Sequence, residues 1–362
     1  MKNIFRNWWS QSLLLLVAVG MLASCNKELP EPTPIQPPPA TGTQTISQIL
    51  AANPNYSFLV AAIARAGSSL SFNPADATAK YTMFAPDNNA FIASGIPSIA
   101  VINGMPVASV AALVNYHVMP GLLLKAADFK TDFPNMYMQS ALVLSSAPPL
   151  AYRMSIFPRK HSTGNWVNNL PITSADVMAS NGVMHGVPFL LSPPTQVIAQ
   201  ILAGNANFTY LMAAIARGDA GPPPGGQALL PLLSNGAANF TLFAPTNQAF
   251  NNLFAALGLP QDISTINALP TQQVWGIVAF HLLLNKRAFF RNFPDGQSTF
   301  PSLIGVPQQY KVSLAAGTLE VRGPANLIPP APGTPYYAKA TAMDAHAVNG
   351  VVHTIDAVLL PQ

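Results

Sequence analysis

Apolar positions recur along this chain with two periods, helical and then strand-like, and the sequence passes through that succession twice. In "QILAANPNYSFLVAAIAR" (48–65), Ile49, Leu50, Leu59, Ala62 and Ile63 fall at helical spacing, and Pro54 divides a first helix from a second. "QILAGNANFTYLMAAIAR" (200–217) repeats the pattern with Ile201, Leu202, Leu211, Ala214 and Ile215. "YTMF" (81–84) and "FTLF" (240–243) alternate as strands do. Each turns into a helix, capped by Asp87 or Asn88 in one case and by Thr246 or Asn247 in the other. "VAALVNYHVM" (110–119) and "TQQVWGIVAFHLL" (271–283) are helical in period and then run into extended chain. The closing stretches, "NGVMHGVPFLLSP" (181–193) and "NGVVHTIDAVLLP" (349–361), follow an Asn-Gly turn expected to use positive φ. In the second, Val351, His353 and Ile355 share one side, and Thr354 and Asp356 the other. In the first, Pro188 stands where the second has Asp356. It lacks a ladder donor, which places that strand at an edge or in a bulge.

Four blocks keep their order in both copies, so the chain is a tandem duplication, and each unit is long enough to form a domain. Helices come first in each unit and strands later, which predicts an α+β fold rather than βαβ winding. "FAPDNNAF" (84–91) and "FAPTNQAF" (243–250), the Tyr-His motif in "NYHV" (115–118) with its counterpart "FHLL" (280–283), and the two closing stretches resemble the signatures of fasciclin domains. The resemblance covers everything from residue 45 onward, as domains over 45–193 and 194–362. It implies two wedges of β-strands flanked by helices, in a family mostly tied to cell adhesion and extracellular matrix contacts. One departure matters: a contact made through the hydroxyl of Tyr116 cannot be made by Phe280.

Half of the residues are hydrophobic and only 8% are charged, so Asn, Gln, Ser and Thr must cover much of the surface. Residues 1–24 read as an export signal. Lys2 and Arg6 form its positive end, and the apolar run from Leu13 to Ala23 is too short for a bilayer core, which needs about 20 residues. "LASC" (22–25) resembles the lipobox of bacterial lipoproteins. That implies cleavage before Cys25, a diacylglycerol on its sulfur and an acyl chain such as palmitate on its amine. Cys25 is the single cysteine, so no intrachain disulfide can form. The Pro-rich stretch after it, within 25–44, reads as an extended tether. A partner membrane engaged through this anchor follows, with placement at the outer membrane and exposure on the cell surface as an expectation. Without Lys2 and Arg6, basic residues fall from 17 to 15 against 13 acidic ones. That balance supplies no footprint for nucleic acid.

The chemistry-bearing residues are few. His117, His185, His281 and His353 recur at motif positions. A buried neutral imidazole, its N–H given to a backbone carbonyl, is favoured over a metal ligand or base, because no partner lies at ligand spacing. Met136 and Met138 raise copper(I) binding, but methionine more often fills core gaps. Nucleophile elbows and phosphate-cradling loops are absent, and the acids are scattered, which points away from an enzyme and requires no cofactor. "RGD" (217–219) reads as the end of a helix rather than a receptor motif. Tyr152, Arg159, Lys160 and Trp166 offer basic and aromatic groups that can stack on sugars or bind an anionic polymer, while alternation in "YRMSI" (152–156) favours a plain strand with solvated charges. The function expected is non-catalytic adhesion to an extracellular protein or polysaccharide. A glycan-binding accessory for polysaccharide capture or uptake is the alternative.

Overall fold

Each repeat opens with a helix pair divided by a short turn. Thr45 and Gln48 form a capping box on α1 (Ile46–Ala52), and Asn53 then caps the short turn at Pro54 that redirects the chain into α2 (Ser57–Ala66). The computed structural model describes residues 42–131, 133, 138–145, 152–324 and 336–361. The export signal, Cys25 and the tether up to residue 41 lie outside the described residues, as does Met136. After α2 come β1 (Tyr81–Pro86), α3 (Asn88–Ala93), α4 (Ile99–Gly104), α5 (Val107–Tyr116) and β2 (Val118–Pro120). A strand-rich half follows: β3 (Met138–Ser145), β4 (Tyr152–Ile156), β5 (Pro158–His161), β6 (Gly164–Val167), β7 (Leu170–Pro171), β8 (Ser174–Ala179) and β9 (Gly182–Val187).

The second repeat retraces this path. It has α6 (Ile198–Ala203), α7 (Thr209–Asp219), α8 (Leu229–Ser234), β10 (Phe240–Pro245), α9 (Asn247–Ala256), α10 (Ile263–Ala268), α11 (Thr271–Phe280) and β11 (Leu282–Leu284). It then has β12 (Gly296–Pro301), β13 (Pro307–Ser313), β14 (Thr318–Arg322), β15 (Ala338–Ala347) and β16 (Gly350–Ile355). Both repeats are α+β. Among the described residues, no helix is long and apolar enough to cross a membrane.

Two cap alternatives resolve in favour of the first residue. Asp87 and Thr246 accept the N–H groups of Ala90 and Ala249. Asn88 and Asn247 instead reach back to the N–H groups of Phe58 and Tyr210, and so tie the capped helix to its predecessor.

The sheet of the first repeat runs β2-β1-β9-β8, and that of the second runs β11-β10-β16-β15-β14-β13-β12. In each, the closing strand lies parallel to the first strand of the repeat: Tyr81 pairs with Gly182, and Phe240 with Gly350. Two expectations change here. Strand β9 is interior, not an edge. Pro188 does no harm because the ladder ends at Val187, and the irregularity lies in the β8 pairing between Ser174 and Val177. Nor do the Asn-Gly glycines take positive φ. They are needed for close approach, because a Cβ on Gly182 would lie 2.2 Å from the Tyr81 carbonyl oxygen, and one on Gly350 would lie 2.4 Å from that of Phe240.

The asparagines before those glycines are fully buried. Asn181 accepts from the Ile46 N–H and donates to Pro74 O and Asp76 O. Asn349 accepts from the Ile198 N–H and donates to Leu233 O.

The closing strands are covered on both faces and are buried almost throughout. In the second repeat, Leu242 and Val352 join a core with the helices, whereas Phe243 and Ile355 join one with Phe293, Tyr310 and Val321. In the first repeat, Met83 and Met184 face the helices, and Phe84 and Val187 face Phe129, Met154 and Ile156.

Candidate functional site

The closing-strand histidine sits in the same place twice. His185 points its Nε2 at the Leu124 carbonyl at 2.9 Å, and its Nδ1 accepts from the Asp176 N–H at 3.3 Å. His353 points its Nε2 at the Ala288 carbonyl at 2.8 Å, and its Nδ1 accepts from the Asp344 N–H at 3.4 Å. Both imidazoles are wholly buried. His117 and His281 take the opposite tautomer. Nδ1 donates to the carbonyl of Leu113 or Ile277, and Nε2 accepts the N–H of Leu191 or Leu359, each at 2.9 Å in the latter bond. These rings fasten the chain after the closing strand to the end of α5 or α11.

Burial pushes His117 and His281 down to about 4. It also lowers His185 and His353, opposed by the carbonyl bond and the nearby aspartate. With both nitrogens of all four rings engaged by main chain, no lone pair is open to a metal or a substrate proton. Among the described residues, no group of three or more His, Cys, Asp or Glu could hold a metal ion.

Asp176 and Asp344 complete this arrangement. Both take the left-handed conformation, at φ 60° and 65°. Their Oδ1 atoms accept the N–H of Ala126 at 2.8 Å and of Phe290 at 2.6 Å, and each lies 4.0 Å from the Nδ1 of its histidine. Asp344 is the more enclosed, at 16% side-chain exposure against 38%, and burial raises it above the usual carboxylate range. Sequence reading passed over this pair, although an aspartate precedes the histidine at the same spacing in "SADVMASNGVMH" (174–185) and "AMDAHAVNGVVH" (342–353).

The residues proposed for ligand contact lie largely at the junction of the repeats. Tyr152 and Arg153 are on β4, as "YRMSI" alternation predicts, but the charges are not all solvated. Arg153 donates to the Ala141 carbonyl, and Arg159 is only 3% exposed because its guanidinium donates to the Asn292 carbonyl of the second repeat. Trp166 stacks beneath Arg291, 5.0 Å from its ring centroid, while Lys160 stays exposed. Around them, Phe157, Phe289 and Val351 share one apolar cluster, and Phe133 packs on Phe293 and Phe300.

Arg287, 3% exposed, lies over the Phe157 ring at 5.1 Å. It donates to Asn239 Oδ1 and the Val348 carbonyl, with His346 Nε2 at 3.3 Å. His346 is flanked by Tyr116 and Phe289 and is held well below its ordinary range by burial and by Arg287. The Tyr116 hydroxyl, absent from Phe280, donates to the Ser155 carbonyl and accepts from Asn168. In the second repeat, Gln308 donates to the Phe280 main-chain carbonyl and accepts from the Tyr310 hydroxyl.

The Arg-Gly-Asp tripeptide is consumed by the fold. It forms the last turn of α7: Arg217 donates to the Leu269 carbonyl, Gly218 abuts the Trp275 backbone, and Asp219 accepts from the N–H groups of Leu229 and Leu230.

Comparison with known sequences agrees with this duplicated geometry. The fasciclin domain profile matches residues 54–193 and 226–361. The chain belongs to the fasciclin family. Among curated proteins, Protein sll1483 of Synechocystis sp. is 31% identical over 183 residues, spanning 49% of this chain and 91% of that protein. Transforming growth factor-beta-induced protein ig-h3 of Sus scrofa is 29% identical over 150 residues, spanning 41% of this chain and 19% of that protein. Among solved structures, a fasciclin domain pair from the insect cell adhesion molecule Fasciclin I aligns over 87% of this chain and 95% of that one. It has 16% identity and a TM-score of 0.37. The profile matches and the observed elements make tandem fasciclin domains, with mixed sheets flanked by helices, the architecture of this chain.

Proposed function

We propose that this protein is a non-catalytic adhesion module of the cell envelope, held to the outer membrane by lipid on Cys25 and reaching an extracellular protein or polysaccharide through its fasciclin domains. The observation that carries the reading is the commitment of every motif histidine to main-chain partners. The histidines repeated in both domains are spent on closing each domain, which leaves surface shape rather than a reactive group for function. Membership of a family tied to cell adhesion supports the same reading. The sequence features "LASC" and the Pro-rich stretch that follows support anchoring at a distance from the membrane.

Three measurements on cells test this: labelling, attachment and protease accessibility. Metabolic labelling with a palmitate analogue is expected to mark the wild type and not Cys25→Ala. Attachment to a matrix-coated surface is expected to fall in a deletion strain and to return with the wild-type gene. Normal attachment by the deletion strain, or complete protection of the protein from protease added to intact cells, overturns surface adhesion.

A further inference from the structure

The fasciclin domains differ most usefully beside the closing strand. In the first, the chain before β8 leaves the closing strand early. Thr173 still donates its N–H to the Gly186 carbonyl, but Leu170–Pro171 turn away to pair with β6. In the second, β15 continues along the closing strand, and Asp356 finishes the seam: its N–H donates to the Lys339 carbonyl, and its Oδ1 accepts the Lys339 N–H at 2.7 Å. Pro188, at the position of Asp356, can make neither bond.

The departure leaves a cleft of about 360 Å3 in the first domain, between the end of β9 and the start of α3. That is within the roughly 300–1,000 Å3 typical of small-molecule sites. Tyr56, Asp87, Asn89, Thr173 and Ser174 line it, with Gly186 at its base and small apolar side chains between them. Gly186 keeps it open, since a Cβ there would come within 3.2 Å of both Ser174 Cβ and Thr173 Oγ1.

The second domain replaces four of these positions. Phe208 stands for Tyr56, Thr246 for Asp87, Gln248 for Asn89 and Thr354 for Gly186. Phe208 is buried, so the aromatic ring there belongs to the core. The first copy therefore carries a lined cleft where the second carries a hydrogen-bonded seam.

We infer that the cleft of the first domain binds a neutral carbohydrate, which deepens, and rests on, the reading of the protein as a contact module. The polar groups decide the ligand class. Asp87 lines the cleft and spends Oδ1 on capping α3, which leaves Oδ2 as an acceptor. The Tyr56 hydroxyl, the Asn89 carboxamide and the hydroxyls of Thr173 and Ser174 have no hydrogen-bond partner among the described residues. Together they supply both donors and acceptors, as sugar hydroxyls require, and Tyr56 with the alanines and Pro188 offers apolar surface for C–H faces. Asp87 is the sole charged side chain in the lining. One carboxylate without a cation disfavours an anionic ligand, and it falls well short of the six to eight oxygens that calcium takes.

The test is titration calorimetry on the full-length protein in detergent with maltotriose, cellotriose and xylotriose. Saturable binding of at least one is expected. Affinity is expected to drop tenfold or more in Asp87→Thr, which keeps the helix cap as Thr246 does, and in Gly186→Thr, which copies Thr354. Tyr56→Phe is expected to weaken binding by a smaller factor. Failure of the wild type to bind any of the three, or equal affinity in Asp87→Thr and Gly186→Thr with the wild-type melting temperature, overturns the assignment. The contact reading fails separately, on normal attachment by the deletion strain.

Discussion

The two fasciclin domains share their fastenings and differ in what surrounds them. His117, His185, Asp176 and Asn181 of the first have counterparts in His281, His353, Asp344 and Asn349 of the second, with the same partners at nearly the same distances. The strands outside this frame diverge. The second domain continues one sheet through seven strands, while the first breaks the equivalent region into two small sheets. That broken region supplies Phe157 and Arg159 to the junction and opens the cleft beside Gly186. Duplication thus preserved the parts that close a domain and released the parts that meet a neighbour or a ligand.

Acid should remove what the domains share. His117 and His281 sit at about 4 when folded, against an ordinary value near 6.5. The unfolded chain therefore binds more protons, so their contribution is fully present above about pH 6.5 and is lost as pH falls through 4. At 1.36 kcal/mol per unit, each ring accounts for about 3 kcal/mol, and urea midpoints should fall steeply between pH 6.5 and 4. Midpoints that stay flat across this window would show that burial holds neither ring neutral.

His353→Ala strands the Ala288 carbonyl and the Asp344 N–H in a buried site, and should cost roughly 3–5 kcal/mol in urea unfolding. His185→Ala should match it within about 1 kcal/mol if the domains are equivalent there.

Arg287→Ala attacks the junction instead. Losing three hydrogen bonds and the contact with Phe157 should cost roughly 2–4 kcal/mol and separate one calorimetric transition into two.

The smallest change tests the difference at the Tyr-His motif. Tyr116→Phe, which copies Phe280, removes a hydroxyl that donates to Ser155 and accepts from Asn168. A loss of about 1–2 kcal/mol confined to the first domain is expected, with near-UV circular dichroism following that domain.

Much of this frame could be read from the chain because it is local or repeated. Helices, caps and closing strands follow from spacing, and the histidines stand out because both copies keep them. What escaped depends on distance. Nothing near Arg159 in sequence reveals that its partner is the carbonyl of Asn292, 133 positions away. Pro188 suggested an edge strand because sequence marks the missing donor but not where the ladder stops. The turns before the closing strands are present, but Gly182 and Gly350 suggested positive φ because the close approach of a parallel neighbour leaves no local trace. Asp176 and Asp344 were visible in principle, as aligned aspartates, but their role depends on a positive φ that spacing does not announce.

The parallel pairing of first and last strands has a consequence for synthesis. Strand β1 cannot acquire its central neighbour until Gly182–Val187 has been made, and β10 must wait for Gly350–Ile355. A growing chain therefore carries helices and one unmated strand edge through most of each domain's translation, then completes the domain in its final few residues. Premature truncation before either closing strand should yield not a smaller stable protein but a chain exposed to proteases and to pairing with its neighbours.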